Sequence, residues 1–302
     1  MITGYQNPAY ADSLSEFGLP RELSKCGGWI LERKIADTRY ADAAGCYPIF
    51  CCQTWSRLHE DLDQLSDLVA LYLVSDPFGD YDEQYLRECF GDVAIGFKQH
   101  YVVDLNCAPD TFVSAHHKRN ARKALRELDV EVCSNPADCF EDWKALYGTL
   151  KERHHIRGLA AFSDNSFAKQ LAVPGIVVFR ARRNGNAVGM LLWFVQGDRA
   201  YYHLGAYSEQ GYKVGASFAL FDDSIRYFTQ IGLRWLSLGA AAGIDSDGTT
   251  GLNRFKEGWS NCSRTAYFCG RIFDRTKYQE ILASRNTSST NYFPAYRLGE
   301  FQ

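Results

Sequence analysis

The clearest apolar and polar patterning in the chain lies in residues 174–260. Three apolar segments are separated by two short turn signals: the segments are 175–181, 187–196 and 199–207, and the turns are Asn184-Gly185 and Gly197-Asp198. This arrangement predicts a meander of strands joined by hairpins. A glycine-containing loop over 209–217, a helix over 218–230 and a strand over 233–238 are predicted to follow.

The rest of the chain alternates shorter strand-like and helix-like segments. We predict strands over 29–35, 47–53, 68–74, 99–105, 130–133 and 264–269, and helices over 58–65, 81–90, 111–128, 140–153 and 251–256. Ser114 is a candidate N-cap within the third of these helices. The apolar residues of 1–25 follow neither a helical nor a strand period, so this region is expected to be irregular. The alternation indicates an α/β (α+β) protein.

The turn-favouring pair Asn135-Pro136 indicates a domain boundary, so we predict one domain over residues 1–135 and a second over residues 136–302. Loops are expected over 239–243, 245–248 and 284–290. At Asp76, beside Pro77, the carboxylate either points into a cleft or stabilises a turn. A turn role is the simpler interpretation.

Composition narrows the function classes. The chain has 302 residues and a net charge of −3, so no global attraction to nucleic acid is expected, and DNA is not a predicted partner. No apolar run is long enough for a membrane span, and the start of the chain lacks the pattern of a signal peptide. We therefore expect a cytoplasmic protein. The ten cysteines are expected to be thiols, and their spacing with histidine does not predict a metal site.

The loop over 209–217 is a candidate anion site. A loop that leaves a strand and opens a helix directs backbone N–H groups and the helix dipole towards one point. The candidate donor-binding residues are Gln210, Lys213, Val214, Gly215, Ala216 and Ser217. Lys213 stands where a further glycine would let the backbone approach a ligand closely. An ordinary strand-to-helix loop is the alternative interpretation.

Several segments together resemble the Fem-type branch of the GNAT superfamily of N-acyltransferases, which includes peptidoglycan-bridge aminoacyltransferases and related bacterial enzymes. The segments are 118–124, 201–206, 215–217 and 254–258, and the resemblance covers mostly residues 110–262. It implies two GNAT-like domains side by side, each with a mixed central sheet flanked by helices, and a site in the cleft between them. It also implies that the loop holds the pyrophosphate of an acyl-CoA, such as acetyl-CoA, as co-substrate.

Lys256 is the first candidate catalytic residue. The resemblance implies a lysine near the reacting acyl group, and this lysine lies between Phe255 and Trp259 after a loop rich in glycine and alanine. Its ammonium could steady a developing oxyanion. A solvated surface lysine is the simpler interpretation.

The strand over 199–207 supplies two more candidates, His203 as a general base and Tyr207 as a donor to the leaving thiol. Strict alternation places Tyr201, His203 and Gly205 on one face and Tyr202, Leu204 and Ala206 on the other. For both candidate side chains, a packing role within the sheet is the more common one.

The basic helix around 118–123 supplies candidate substrate-binding residues. Lys118, Arg119 and Arg122 could gather an anionic donor or acceptor. Helix spacing places Lys118 and Arg122 on one face. A solvated helix face is the alternative.

These observations predict an N-acyltransferase that moves an acyl group from an acyl-CoA-type donor to an amine through a tetrahedral intermediate. The acceptor is expected to be a small molecule, a peptide or an amino sugar. One alternative is an aminoacyl-tRNA-dependent enzyme of the peptidoglycan-bridge type, although the chain lacks the helical arm that some Fem ligases use to hold tRNA. Another is a GNAT-like scaffold that binds without catalysis.

Overall fold

The computed structural model describes residues 1–156, 158, 161–240, 251–285 and 290–300. The strands are β1 Leu19–Leu23, β2 Gly28–Lys34, β3 Ala41–Gly45, β4 Ala70–Val74, β5 Val93–Asp104, β6 Asp129–Val132, β7 Ile176–Arg183, β8 Asn186–Gln196, β9 Arg199–Tyr207, β10 Trp235–Ser237 and β11 Cys262–Ile272. The helices are α1 Pro8–Ser13, α2 Leu58–Leu62, α3 Glu83–Phe90, α4 Pro109–Phe112, α5 Ala115–Ala124, α6 Phe140–His154, α7 Asp164–Gln170, α8 Glu209–Val214, α9 Ala216–Gln230, α10 Gly251–Glu257 and α11 Arg275–Ser284.

The chain divides into two compact units that are each built from discontinuous segments. Unit 1 contains Met1–Gly4, Lys98–Ile156 and Ala160–Arg264, and unit 2 contains Tyr5–Phe97, Arg157–Leu159 and Thr265–Gln302. The predicted division after residue 135 falls inside unit 1. The α5 and α6 segments on its two sides both belong to unit 1, where α5 packs on α9 and α6 packs on β8 and β9.

Unit 1 is a mixed sheet in the order β5-β10-β9-β8-β7-β6. The predicted meander is confirmed as the antiparallel run β7, β8 and β9. In contrast, β10 pairs with β9 in parallel and with β5 in antiparallel register. Helices cover both sheet faces, which confirms the predicted α/β class: Trp193 packs against Phe221 of α9, and Phe194 lies beside His203 on the side of α6 and α7.

Unit 2 has five strands and its own core. Its strands run in the order β1-β2-β3-β4-β11, with β3 and β4 parallel and the other neighbours antiparallel. A buried cluster that includes Phe50, Trp55 and Phe90 packs against this sheet. Asp76 accepts a hydrogen bond from the Phe78 amide at 2.9 Å, so its carboxylate stabilises the turn after β4.

Several predicted elements differ from the structure. Residues 47–53 do not form a strand and contribute only a bridge between Phe50 and Ser75, because Pro48 has no N–H to donate to a ladder. The predicted helix over 111–128 is two helices, and Ser114 caps the second by accepting a hydrogen bond from the His117 amide. The region 1–25 contains α1 and β1, whose short length hides their period. The predicted acidic turn over 245–248 lies outside the described residues, as do parts of the loops over 239–243 and 284–290.

A buried ion pair in unit 2 gives a stability prediction. Asp42 is fully buried and accepts two hydrogen bonds from the Arg297 guanidinium, at 2.7 and 2.6 Å, and one from the Tyr296 hydroxyl at 2.8 Å. Removing Asp42 takes away two hydrogen bonds from the buried Arg297 guanidinium and leaves Glu300, at 2.8 Å, as its remaining acidic partner among the described residues. We therefore expect Asp42→Ala to lower the free energy of unfolding by about 3–5 kcal/mol in denaturant titrations followed by circular dichroism.

The matched control is Glu60→Ala, which removes the partner of Arg57 in an exposed ion pair with a 3.0 Å contact. Water solvates either charge there, so the unfolding midpoint should hardly move. Equal losses for the two variants would contradict a structural role for the Asp42–Arg297 pair.

Candidate active site

The central feature of unit 1 is the parting of β9 from β10. Their parallel pairing spans three positions and ends at Ser237 opposite Tyr201. The chain after β10 then continues along β5: the Leu238 amide donates to the Tyr101 carbonyl, and the Tyr101 amide donates to the Gly239 carbonyl. Among the described residues, β9 beyond Tyr201 is therefore paired with β8 and not with β10. A gap opens between the two strands.

A β-bulge on β9 changes which side chains face α9. In the β8–β9 ladder Trp193 pairs with Tyr202 and Leu192 with Leu204, so His203 is the extra residue. The alternation predicted from the sequence is therefore wrong beyond this point. A Cβ built on Gly205 would lie 2.3 Å from the Tyr202 hydroxyl, so Gly205 faces the same side as Tyr202 and not the opposite one.

The same shift brings two tyrosines together on that face. Tyr202 and Tyr207 share a side-chain hydrogen bond, and both belong to or pack on the core beneath α9. Burial raises the pKa of both phenols above the usual value, so both hydroxyls stay protonated at neutral pH. The missing side chain of Gly205 provides the space for the Tyr202 hydroxyl. Tyr207 was predicted as a site residue, whereas Tyr202 was not.

Lys256 lies at the point where the strands part. Its Nζ donates a 2.6 Å hydrogen bond to the Ala240 carbonyl and lies 5.8 Å from the centroid of the Tyr202 ring. A Cβ on Gly239 would lie 3.3 Å from this nitrogen. The residue is only 6% exposed, which excludes the solvated surface lysine. Burial, with a further contribution from the positive charge of Lys98, lowers the pKa of Lys256 to about 8.

A buried histidine on β5 completes the polar surroundings of the lysine. The His100 Nδ1 lies 3.3 Å from the Ser237 Oγ, and the Gly239 amide donates to the same oxygen at 3.4 Å. Burial, together with the charges of Lys256 and Lys98, lowers the pKa of His100 to about 4, so this ring is neutral at pH 7. Lys98 and His100 are two positions apart on one strand, a signal that sequence inspection could have used.

The predicted loop over 209–217 is mostly helical, which corrects the expectation of an open loop. Ser208 caps α8 through the Gly211 amide, and α9 begins directly after Gly215, whose φ of 71° lies in the left-handed region. No side chain caps α9, and the Phe218 amide donates to the Gly215 carbonyl at 3.0 Å, so Ala216 and Ser217 carry the amides of the first turn that can still donate. Of the predicted donor-binding residues, Gln210 and Lys213 are exposed, Val214 and Ser217 are half-buried, and Ala216 is buried.

A cavity of about 580 Å³ opens beside the first turn of α9. Phe218 of α9, Phe255 and Arg254 of α10, and His116 of α5 contribute to its lining. Half of its lining residues are aromatic, and it carries one guanidinium, that of Arg254, and one carboxylate, that of Glu257. Its volume is within the range of small-molecule sites.

His203 lies on the face opposite Tyr202. Its Nε2 donates to the Gln170 Oε1 at 3.1 Å, and the rings of Phe162 and Phe194 lie beside it. Burial lowers the pKa of His203 to about 3, which makes the ring a weak base. This geometry favours the structural role over general base catalysis.

The basic residues of α5 contact groups other than Lys256, Tyr202 and His100. The Lys118 Nζ donates to the Asp110 carbonyl at 2.7 Å, and Arg119 lies 3.3 Å from the His116 Nδ1. Burial raises the pKa of the Asp222 carboxyl, and the positive charges of Arg226 and Arg122 oppose that shift. Substrate binding by these three residues stays a prediction.

Three further findings concern metal ligands, cysteines and membrane spans. Among the described residues, no group of three or more histidine, cysteine, aspartate or glutamate side chains is arranged to hold a metal ion. All ten cysteines are free thiols, and only Cys107 and Cys262 are exposed. Within the part of the chain that the structure describes, no helix has both the length and the apolarity of a membrane span.

The family comparison covers the part of the chain that contains this candidate site. Residues 113–257 match the model of the acetyltransferase (GNAT) domain. The matched span includes β9, the α8–α9 turn and all of α10, and therefore Tyr202, Gly215 and Lys256. This match confirms the predicted resemblance to the GNAT superfamily and the predicted class of acyltransferase. A search of the curated proteins found no match.

Solved structures extend the likeness over most of the chain. FemX shares 14% identity and a TM-score of 0.66, over 90% of this chain and 93% of that one. A domain assigned as the C-terminal part of a lysylphosphatidylglycerol synthetase from Agrobacterium fabrum shares 15% identity and a TM-score of 0.62, covering 92% and 91%. L-PGS from Bacillus licheniformis shares 18% identity and a TM-score of 0.57, over 94% of this chain and 98% of that one. At these identities the likeness shows a common fold, and the predicted Fem-like fold is confirmed.

The surroundings of Lys256 predict its titration. We expect the side-chain ¹⁵N signal of Lys256, assigned by its loss in Lys256→Arg, to titrate near pH 8 because burial disfavours its charged form. Lys144 is the internal control, since its partner Asp164 raises its pKa above the usual lysine value. A Lys256 signal that titrates together with that of Lys144 would contradict the buried position.

Proposed function

We propose that this protein is an N-acyltransferase that moves an acyl group from an acyl-CoA-type thioester to an amine acceptor. The observation that carries the proposal is the Lys256 ammonium at the parting of β9 and β10, within a GNAT domain. The acyl group would lie in this gap, close to Tyr202 and Tyr207. All these groups belong to unit 1.

The surroundings of the gap suit an extended thioester donor. A strand edge can bind an extended chain through backbone hydrogen bonds, and the arm of CoA is extended and carries amides. The dipole of α9 and the amides of Ala216 and Ser217 favour a phosphate group beside Gly215, whose own amide already donates to the Tyr212 carbonyl at 3.2 Å. The aromatic cavity beside Phe218, with the guanidinium of Arg254, has room for part of the nucleotide.

The chemistry we propose is direct transfer. The neutral amine attacks the thioester carbonyl, so a C–N bond forms while negative charge develops on the oxygen. The Lys256 ammonium stabilises that charge. The intermediate then loses a proton to water and the C–S bond breaks. Tyr207, hydrogen-bonded to Tyr202, is our candidate donor of a proton to the leaving thiolate, and water would restore that proton.

The acceptor is proposed as a class only. A small molecule, a peptide or an amino sugar with a free amine would each meet the chemical requirement. Anionic acceptors would be favoured by Lys118, Arg119 and Arg122 if these residues bind substrate, although Lys118 already contacts Asp110. The name lysylphosphatidylglycerol synthetase, carried by one similar structure, points to a lipid acceptor, and the resemblance to Fem-type enzymes points to a peptidoglycan precursor, so screening should include both.

Donor binding is tested by calorimetric titration with acetyl-CoA and free CoA. We expect micromolar binding to the wild-type protein and its loss in Gly215→Val, because the larger side chain strains a left-handed position and blocks backbone approach. Gly185→Val is the matched control. Gly185 also has a positive φ, of 82°, but it lies at the β7–β8 turn, with no atom within 4 Å of a built Cβ.

Equal affinities for CoA in wild type and Gly215→Val would remove the α8–α9 turn from the donor site. If neither thioester nor free CoA binds the wild-type protein, the acyl-CoA proposal fails. Charged tRNA would then be the next donor to assay, and binding without turnover would indicate a scaffold.

The role of Lys256 predicts a pH dependence. The ammonium is required, so the descending limb of the profile of kcat/KM should follow the pKa of Lys256, near 8. Lys256→Met keeps the apolar stem and removes the charge. We expect it to lower kcat by about 100- to 1000-fold, the usual effect of losing one oxyanion donor, and to abolish that limb.

Circular dichroism and thermal melting should show that Lys256→Met is folded, since it removes a buried charge. If the wild-type kcat/KM instead rises through pH 8, the neutral side-chain amine of Lys256 would act as a base. Full activity of the Met variant would eliminate Lys256 from the mechanism.

A further inference from the structure

His117 of α5 lies beside the C-terminal end of α10. It is only 6% exposed and is surrounded by the rings of Phe218, Phe255 and Trp259, at centroid distances of 5.1, 5.5 and 5.0 Å. It is one of two adjacent histidines, and its neighbour His116 is exposed. Burial of the first and exposure of the second indicate different roles.

Both ring nitrogens of His117 have hydrogen-bond partners. The Nε2 lies 2.9 Å from the Phe255 carbonyl, which can only accept, so Nε2 carries the proton. The Nδ1 then accepts from the Ser114 hydroxyl at 2.6 Å. The tautomer is therefore fixed by two partners, and one of them is the backbone of the residue directly before Lys256.

The end of α10 fits closely around this ring. A Cβ on Gly258 would lie 2.2 Å from the ring carbon Cε1 of His117, so any larger residue would displace the imidazole. The Ser114 amide also donates to the Gly258 carbonyl at 3.0 Å. Two hydrogen bonds and a close backbone approach thus join the start of α5 to the end of α10.

This junction matters because α10 is a helix of only seven residues. A helix of this length has little stability of its own, so its register depends on tertiary contacts. Lys256 is two residues before Gly258 and one after Phe255. A shift of the end of α10 would move the Lys256 ammonium relative to the Ala240 carbonyl and the Tyr202 ring.

We propose that His117 is a positioning residue for Lys256, holding α10 in the register that places the ammonium at the parting of β9 and β10. We do not assign the side chain a catalytic role: its hydrogen bonds go to Ser114 and the backbone of α10, its ring packs among aromatic rings, and it lines the cavity beside Phe218. The inference rests on the proposed function for its catalytic meaning. Its structural content can be tested without any substrate.

The test is the ¹⁵N titration of Lys256 in His117→Ala. Loss of the anchor should let the ammonium reach solvent, so the titration midpoint should rise from about 8 towards the ordinary lysine value of about 10.4. The groups that act on Lys256 from β5, Lys98 and His100, are unchanged in this variant. His117→Gln should restore most of the lowered midpoint, because its amide can still donate to the Phe255 carbonyl.

His116→Ala is the matched control, since it removes the exposed neighbour on the same helix and should leave the midpoint near 8. If His117→Ala does not fold, Ser114→Ala is used, which removes the partner of Nδ1 and should give a smaller rise. Ser163→Ala controls for the lost N-cap, because Ser163 caps α7 in the same way.

A folded His117→Ala or Ser114→Ala with an unchanged Lys256 midpoint would overturn the proposal. A raised midpoint with unchanged kcat would keep His117 as the anchor of α10 and would instead defeat the catalytic role of Lys256. The two failures are therefore distinguishable.

Discussion

The short parallel pairing between β9 and β10 is the constraint on which the site depends. Three positions are paired, and then β10 continues along β5 while β9 bends at the bulge of His203. Two strands that diverge within a sheet leave backbone and side chains facing a gap rather than each other. Tyr202 from one strand and the Ala240 carbonyl after the other thus become neighbours of one ammonium.

Burying the Lys256 ammonium costs free energy in the folded state of unit 1. A buried lysine loses hydration, and its lowered pKa measures the loss. One short hydrogen bond to Ala240 and the face of Tyr202 compensate it in part. An incompletely neutralised charge is well suited to a reaction in which negative charge appears transiently, because stabilisation is then largest in the transition state.

The packing around the site explains why so many aromatic residues cluster near it. Phe218, Phe221, Phe255 and Trp259 pack edge to face or stacked between α9 and α10. Rings fix helix positions with little loss of side-chain freedom. Apolar packing alone does not fix the register of α10. The hydrogen bonds at His117 specify one register of this helix.

The sequence by itself determined the meander, the helix after it, the GNAT resemblance and the candidate Lys256, because these depend on local periodicity, turn residues and short motifs. It predicted an open loop where α8 forms, and it assigned Gly205 to the wrong face, because a bulge is a property of the pairing between two strands. Tyr202, His100 and His117 acquire their roles only through residues distant in the chain. Tertiary structure alone decided the burial of Lys256, since burial and a shifted pKa arise from neighbours that no local pattern specifies.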